Sequence, residues 1–581
     1  MRLPAKKIEG EPHKILSFVK ISPMWQALGK AVLKFRIPLI IALVLLTVFM
    51  GYHASKVQMS YDFSRAIPTD HPKYKAYLEF KKTFGEDGSL LTIGFTSANF
   101  FEVKQFNALT GFQERLKKIN GVEDIISVNG AVTLKKNDST NKLDAIRIFP
   151  TNIKSQQALD SLKDIFYSLP FYRGLLYNPD TKAYLLGLRI NSVILGSKAR
   201  ETTIGEIEKE AAAFAETSQL DLHLSGLPLI RTNVALRIAE EMQWFLLGSL
   251  LLSALILFIF FRSLSTTLLS LAVVLIGVVY SLATIHMLGF RITLLNALIP
   301  PLVVVIGIPN CIYFLNKYHT AFMKSGDKKK AIVEMIGKMG VVTLFCNISA
   351  ALGFAVFALT KSIILKEFGI VAGINIMALF FISLILIPIS LFYMAEPRKK
   401  HTRYLENKWL QTLLTTIEQW VFSNTRTVYL ATGIALIFSI IGISKLKTQS
   451  FIVDDLPKKD KIYTDLRFFE SNFRGIMPLE ILVDTKKKNG IEGSRALSVY
   501  NKVSSFSAYI ASYPEMARPL SLAEGLKFAR QGFYDGDSNN YSMPNAFDGA
   551  FMADYLKPNK GDAAAKGSLE KLMASFIDSN K

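Results

Sequence analysis

Residues 292 to 319 read ITLLNALIPPLVVVIGIPNCIYFLNKYH. The stretch is apolar enough and long enough to cross a bilayer, which takes about 20 residues of helix. Its interior holds Pro300 and Pro301, then Gly307, Pro309 and Asn310. It leaves on a basic, aromatic edge of Tyr313, Lys317, Tyr318 and His319. Prolines and a polar amide at membrane depth cost free energy unless neighbouring helices satisfy the groups they free. A span that keeps them belongs at the centre of a bundle, and the other hydrophobic runs form the wall around it.

Working outward, those runs are Pro38–Ala54, Met242–Phe261, Leu268–Leu288, Met339–Thr360, Phe368–Met394 and Val428–Leu446. With Ile292–Leu315 they make seven spans, five of them packed into residues 242–394. The basic segments fall on one side: residues 1–37, Arg262, the stretch from Lys317 to Lys338, and Arg398, Lys399, Lys400 and Arg403. The loops on the other side, Gly289–Arg291 and Lys361–Glu367, are short and carry fewer cations. Positive charge collects on the cytoplasmic side, so the N-terminus is expected inside and residues 55–241 and 447–581 outside, in the inner (plasma) membrane. Residues 404–424, inside the linker 395–427, carry apolar residues at helical spacing and two tryptophans, the pattern of a helix lying in the membrane interface.

The first outer block, 55–241, alternates strands and helices. Leu90–Thr96, Asp124–Val128, Ala145–Ile148, Ala183–Ile190 and Leu220–Leu224 read as strands. Glu102–Ile119, Gln156–Tyr167 and Lys198–Ala215 read as helices. Short strands alternating with helices indicate an α+β domain of βαβ, ferredoxin-like type. The fold class expected is thus a multi-span α-helical membrane protein of about seven spans with two α+β extracytoplasmic domains.

The 581 residues are half hydrophobic and carry a formal charge of +21. The lysines are spread widely or flank the spans, with no base-stacking motif beside them, so nucleic acid is not an expected partner. The two cysteines, Cys311 and Cys346, both lie in apolar runs and read as small packing residues rather than a disulfide or metal pair. No Cys or His cluster, phosphate-binding glycine loop or nucleophile elbow occurs, and His71 and His223 read as ordinary surface or core histidines. Neither an enzyme nor a cofactor is expected.

The second outer block restates the first. SYDFSRAIPTDHPKYKAYLEFKKTFGEDGSLLTIGFT begins at Ser60, and SFIVDDLPKKDKIYTDLRFFESNFRGIMPLEILVDT begins at Ser450. Asp62, Pro68, Tyr74 and Phe84 correspond to Asp454, Pro457, Tyr463 and Phe473, and Arg36 to Arg426 ahead of the spans. Residues Leu569 to Ile577 resemble those near Leu162 to Tyr167. The order is span, outer domain, five spans, then the same again, and the second copy reaches only its outer domain. The expectation is a piece of a longer protein, truncated after its second half begins.

This tandem layout resembles the resistance–nodulation–division superfamily, most closely its branch of hydrophobic-substrate exporters: the MMPL-type mycobacterial membrane proteins, Patched and the hopanoid transporters. The specific likenesses are the Gly226-Leu227-Pro228 turn, the span exit GIPNCIYFLNKYH, and Ser325-Gly326-Asp327 followed by Ala331 to Gly340. The group 242–394 is similar to a sterol-sensing domain. The resemblance implies proton-driven export of a lipid or other hydrophobic compound, with membrane lipids, a hydrophobic small molecule and a second or third copy of the chain as partners. Such transporters commonly carry an acidic residue near the position of Pro309 and Asn310, and here Asn310 does not titrate. The candidate relay residues are Asn310, Pro309, Gly307, Asn296, Asn347 and Asn375; of these the four asparagines, with Ser349, are expected to form an interhelical polar cluster. The alternative is a non-transporting relative that senses lipid or assists secretion.

Overall fold

The computed structural model describes residues 23–59, 71–84, 88–139, 141–293, 295–397, 402, 408–447, 458–475, 479–486, 490–491 and 496–555. Several positions used above lie outside the described residues: Asp62, Pro68, Asp454, Pro457, the basic run 398–401 with Arg403, and residues 569–577. The chain forms two compact units, one from residues 1–71 and 235–449, the other from 72–234 and 450–581.

The first unit opens with α1 (Pro23–Lys34) and α2 (Arg36–Ala54). In the outer unit follow α3 (Pro72–Phe84), β1 (Leu90–Thr96), α4 (Val103–Lys117), β2 (Val122–Ile126), β3 (Val132–Asn137) and β4 (Lys142–Arg147). Then come α5 (Gln156–Tyr167), β5 (Tyr177–Asn178), β6 (Ala183–Ile190), α6 (Ser192–Leu195), α7 (Ala199–Ser218) and β7 (His223–Ser225). The chain continues through α8 (Leu227–Phe261), α9 (Leu264–Met287), α10 (Ile299–Ser325), α11 (Lys328–Ala355) and α12 (Ile363–Tyr393). It ends with α13 (Lys408–Ser423), α14 (Thr425–Ser444), α15 (Lys461–Phe473), α16 (Ala496–Ala511), α17 (Leu522–Phe533) and α18 (Ala546–Tyr555).

Among the described residues, seven helices are long and apolar enough to cross a membrane: α2, α8, α9, α10, α11, α12 and α14. The most buried are α9, α10 and α12, while α2 and α14 present nearly all of their surface outward. Close approach is set by glycines. A Cβ on Gly277 would sit 2.9 Å from both Leu379 and Val303, and one on Gly307 would sit 2.9 Å from Val274. Small residues at such crossings let helix backbones approach where lipid offers no hydrophobic drive.

Several boundaries differ from the sequence reading, three of them around the spans. Ile292, Thr293 and Leu295 are not helical; Ile292 N–H donates to the Gln58 carbonyl at 2.9 Å, and α10 begins at Ile299 behind a short 3-10 turn. The stretch 316–338, expected as a loop, is helix apart from a break at Gly326 and Asp327. Gly326 takes φ +63°, and the Asp327 carboxylate caps α11 by accepting from the Lys329 and Lys330 N–H groups. α8 runs unbroken from Leu227, well ahead of Met242, because Pro228 falls in its first turn, where proline is tolerated, and no later proline interrupts it.

α1 is a packed element rather than a basic tail. Trp25, Gly29 and Val32 recur at helical spacing and are buried, with Gly29 against Val333 and Ile336 of α11. Gly340 forms the receiving notch: a Cβ there would lie 2.5 Å from the Trp25 ring. Gly340→Leu is expected to release α1 at a cost of ~1–3 kcal/mol, the usual penalty of overpacking. Faster acrylamide quenching of Trp25 fluorescence, in a chain whose other tryptophans are replaced by phenylalanine, is the readout.

In the outer unit the order β2-β6-β1-β7, every neighbour antiparallel, is that of a ferredoxin-like β-α-β-β-α-β fold. α4 and α7 cover one face, with Phe112 and Phe214 stacked at 4.4 Å. The β3–β4 hairpin and α5 are inserted between β2 and β6. Gly226, at φ +121°, makes the turn from β7 into α8; a Cβ there would lie 2.5 Å from the Leu90 carbonyl.

The chain after residue 450 joins this same unit. Its described residues contribute helices and no strand; residues 479–485, whose pattern matches β1, pair with no strand. β1 is held on both edges by β6 and β7, and a lone extended segment lacks that support. α17 lies on the hairpin, where a Cβ on Gly532 would meet Leu134 at 2.4 Å. Phe528 stacks on Phe171 at 4.8 Å, and Arg518 donates to the Pro170 and Phe171 carbonyls at 2.9 and 2.8 Å.

Glu524 anchors this seam. Its carboxylate accepts from Lys527 Nζ and Tyr541 Oη, both at 2.7 Å, and lies 3.5 Å from Arg518. Burial pushes its pKa up, but the Lys527 and Tyr541 hydrogen bonds and the Arg518 charge together hold it below the ordinary 4.5. A depressed folded-state pKa contributes stability that is complete above the unfolded value and lost as pH falls through the folded one. Thermal unfolding temperature should therefore drop as pH falls below 4.5, and Glu524→Gln should flatten that acid limb.

Candidate functional site

α10 carries the site. Pro309 removes one backbone donor from the helix interior and is exposed, so the freed carbonyl points away from the core. One residue on, Asn310 is buried and faces α11. Its amide and that of Asn347 bond reciprocally: Asn310 Nδ2 donates to Asn347 Oδ1 at 3.2 Å, and Asn347 Nδ2 donates to Asn310 Oδ1 at 3.0 Å. Asn347 Nδ2 also donates to the Thr343 carbonyl of its own helix at 2.7 Å. The pair is closed, neutral and dry, and Gly307 sits one turn away at the tight crossing with α9 and α12.

The other asparagines do not join it. Asn375 on α12 donates to its own Val371 carbonyl at 2.8 Å and accepts from Thr284 of α9 at 3.4 Å. Asn296 lies ahead of α10, donating to the Arg291 carbonyl at 3.1 Å, with its Oδ1 buried and without a hydrogen bond. Ser349 is exposed. The expected single cluster is thus three separate contacts, because the residues lie at different depths and on different helix faces. Tyr318 and His319 are buried, not an edge; they continue the α10 face of Cys311, Phe314 and Leu315 at helical spacing, and His319 meets Phe261 edge-on at 5.8 Å.

Among the described residues of the membrane-length helices the acidic groups are Glu240, Glu241, Glu334 and Glu367. Glu334 is held by Lys338 at 2.9 Å and Lys317 at 3.6 Å near the start of α11. Glu367 is buried near the start of α12. None is within a turn of Asn310 along its helix, and the centre of the site is an amide pair with no proton to exchange. No group of three or more metal-ligating side chains occurs among the described residues.

The MMPL family model matches residues 104–423, more than half the chain, covering the ferredoxin-like fold from α4 onward, α8 to α12 and the Asn310–Asn347 contact. This chain belongs to the MMPL family. It is 21% identical over 361 residues to MJ1562 of Methanocaldococcus jannaschii, covering 60% of this chain and 88% of that protein. It is 23% identical over 474 residues to YdgH of Bacillus subtilis, covering 78% of this chain and 45% of that protein. Both relatives are named as membrane proteins. The chain therefore spans less than half the length of YdgH.

A second polar contact of this MMPL-family protein escaped the sequence reading. Asp465 of α15 is buried against β7, with Oδ1 2.9 Å from His223 Nδ1 and Oδ2 accepting from the Leu224 N–H at 3.0 Å. The His223 ring stacks on Phe468 at 4.1 Å, and Asp221 lies 3.6 Å from its other nitrogen. A Cβ on Gly94 of β1 would come 2.6 Å from Phe468 and 2.9 Å from Phe469. The only sequence signals were a glycine inside a strand and an aspartate on the apolar face of a helix.

Proposed function

We propose that this protein is an exporter of lipids or other hydrophobic compounds, of the resistance–nodulation–division type and driven by an ion gradient. The family match across both the first outer block and the five-span group is the observation that carries this reading. α10, interrupted by Pro309, packed through Gly307 and closed by the Asn310–Asn347 pair, supplies a two-sided contact that a cycle can break and remake. A neutral pair does not carry the coupling proton, so the ion is bound elsewhere in the working protein. In the orientation proposed, the N-terminus is cytoplasmic and residues 55–241 and 447–581 are extracytoplasmic.

The test is whole protein reconstituted into liposomes carrying a fluorescent lipid, followed with and without an imposed proton or sodium gradient. Gradient-dependent lipid movement supports export. Lipid binding with no movement under either gradient favours the second reading, a lipid sensor or secretion-assisting protein, which the neutral amide pair itself recommends. Orientation is read separately: a Cys at the exposed Ser139 should react with an impermeant maleimide from outside the cell membrane and not from the cytoplasmic side.

A further inference from the structure

α2 and α9 lie side by side and parallel, and the contacts between them climb in register. Thr47 Oγ1 is 3.3 Å from Tyr280 Oη. Six residues further along each helix, His53 faces His286, with ring centroids 5.4 Å apart and planes inclined by 38°. Beyond the helix ends the seam is closed by backbone. The Gln58 carbonyl accepts from the Ile292 N–H at 2.9 Å, and Met59 bridges to Ile292. The two imidazoles are thus held from below and from above, on elements of one compact unit.

We propose that His53 and His286 bind a divalent transition-metal ion of the zinc class, with water in its remaining positions. The first argument is distance. Two imidazoles on one tetrahedral zinc, each bonded at about 2.0–2.1 Å, set their ring centres roughly 5 Å apart. The observed spacing is that of a pair already placed to share an ion. The second is an orphaned nitrogen. His53 Nδ1 is buried without a hydrogen bond. Leaving such an atom unmet is costly, and a phenylalanine would fill the same seam against Phe49, 4.7 Å away, without that cost. Neutral imidazole binds a metal through a ring nitrogen that carries no proton, so an ion meets the need that packing does not.

The third argument is the local field. Both histidines stand in the last turn of their helices, the end that favours a cation. Lys56, three residues past His53, is turned onto Tyr52: its Nζ donates to the Tyr52 hydroxyl and lies 4.1 Å over that ring. Both imidazoles are half-buried, which leaves a side open to ions and to the waters that complete the coordination. Bound there, the ion staples α2, whose surface is turned almost wholly outward, to the well-buried α9.

The experiment uses the whole protein as its gene encodes it, purified in detergent through a tag without histidine and stripped with chelator. Zinc is titrated in by calorimetry, and the unfolding temperature is followed alongside. One zinc per chain with a raised unfolding temperature is the expected result, and both should vanish in His53→Ala and in His286→Ala. No saturable zinc uptake overturns the proposal, and so does uptake that either variant retains. Where a variant does not purify, metal-catalysed oxidation of the unsubstituted protein decides, with Cu2+ and ascorbate as the probe. Oxidised imidazole at His53 and His286 ahead of the other histidines supports the site. Oxidation confined to other histidines, or none at all, overturns it.

Discussion

Asn310→Leu is expected to bring lipid movement in reconstituted vesicles to background while the protein still inserts and purifies. The substitution deletes both hydrogen bonds between α10 and α11 and leaves the Asn347 carbonyl oxygen buried without a donor. An orphaned buried polar group costs ~1–3 kcal/mol, so unfolding temperature should fall as well. The double variant Asn310→Leu with Asn347→Leu separates the two effects. Replacing both partners with apolar groups recovers stability, since nothing buried is left unsatisfied, yet it does not restore a contact that must open and close. If the double variant moves lipid at the normal rate, the pair is packing alone and has no part in the cycle.

Gly94→Val is expected to undo the joint between the two outer blocks. The new branched side chain enters space held by the Phe468 and Phe469 rings at under 3 Å. Overpacking of this kind costs ~1–3 kcal/mol. Displacement of α15 also breaks the Asp465 contacts with His223 and the Leu224 N–H. A lower unfolding temperature and faster proteolysis of α15 are the measurable results. Phe468→Ala in the same chain makes room for the valine and should recover much of the loss; no recovery would place the damage elsewhere.

Much of this architecture is legible in the residues because it depends on local pattern. Leu90–Thr96 and Ala183–Ile190 alternate or run apolar between turn residues, and Gln156–Tyr167 has helical spacing; β1, β6 and α5 keep those bounds. The spans follow from hydropathy alone. What escaped depends on distant neighbours. β3 reads VTLKKN, too basic for a half-buried strand until α17 covers its Leu134. The basic charge of residues 1–37 says nothing of the packing of α1, whose buried face is only Trp25, Gly29 and Val32. Asn310 announced itself as an amide in a span, but nothing local selects Asn347 over Asn375 as its partner; helix rotation decides that. Asp465 and His223 lie 242 residues apart and share no motif.

That separation also sets a timetable for biogenesis. Chains emerge at about 5–20 residues per second, so His223 waits roughly 10–50 s for Asp465 to be made. During that interval the ferredoxin-like sheet stands with its Gly94 face bare, while several spans are still being made. Cells making this protein thus hold an unfinished, sticky β-sheet. Slowing translation between α8 and α15 is expected to lower the amount of mature protein without altering its stability.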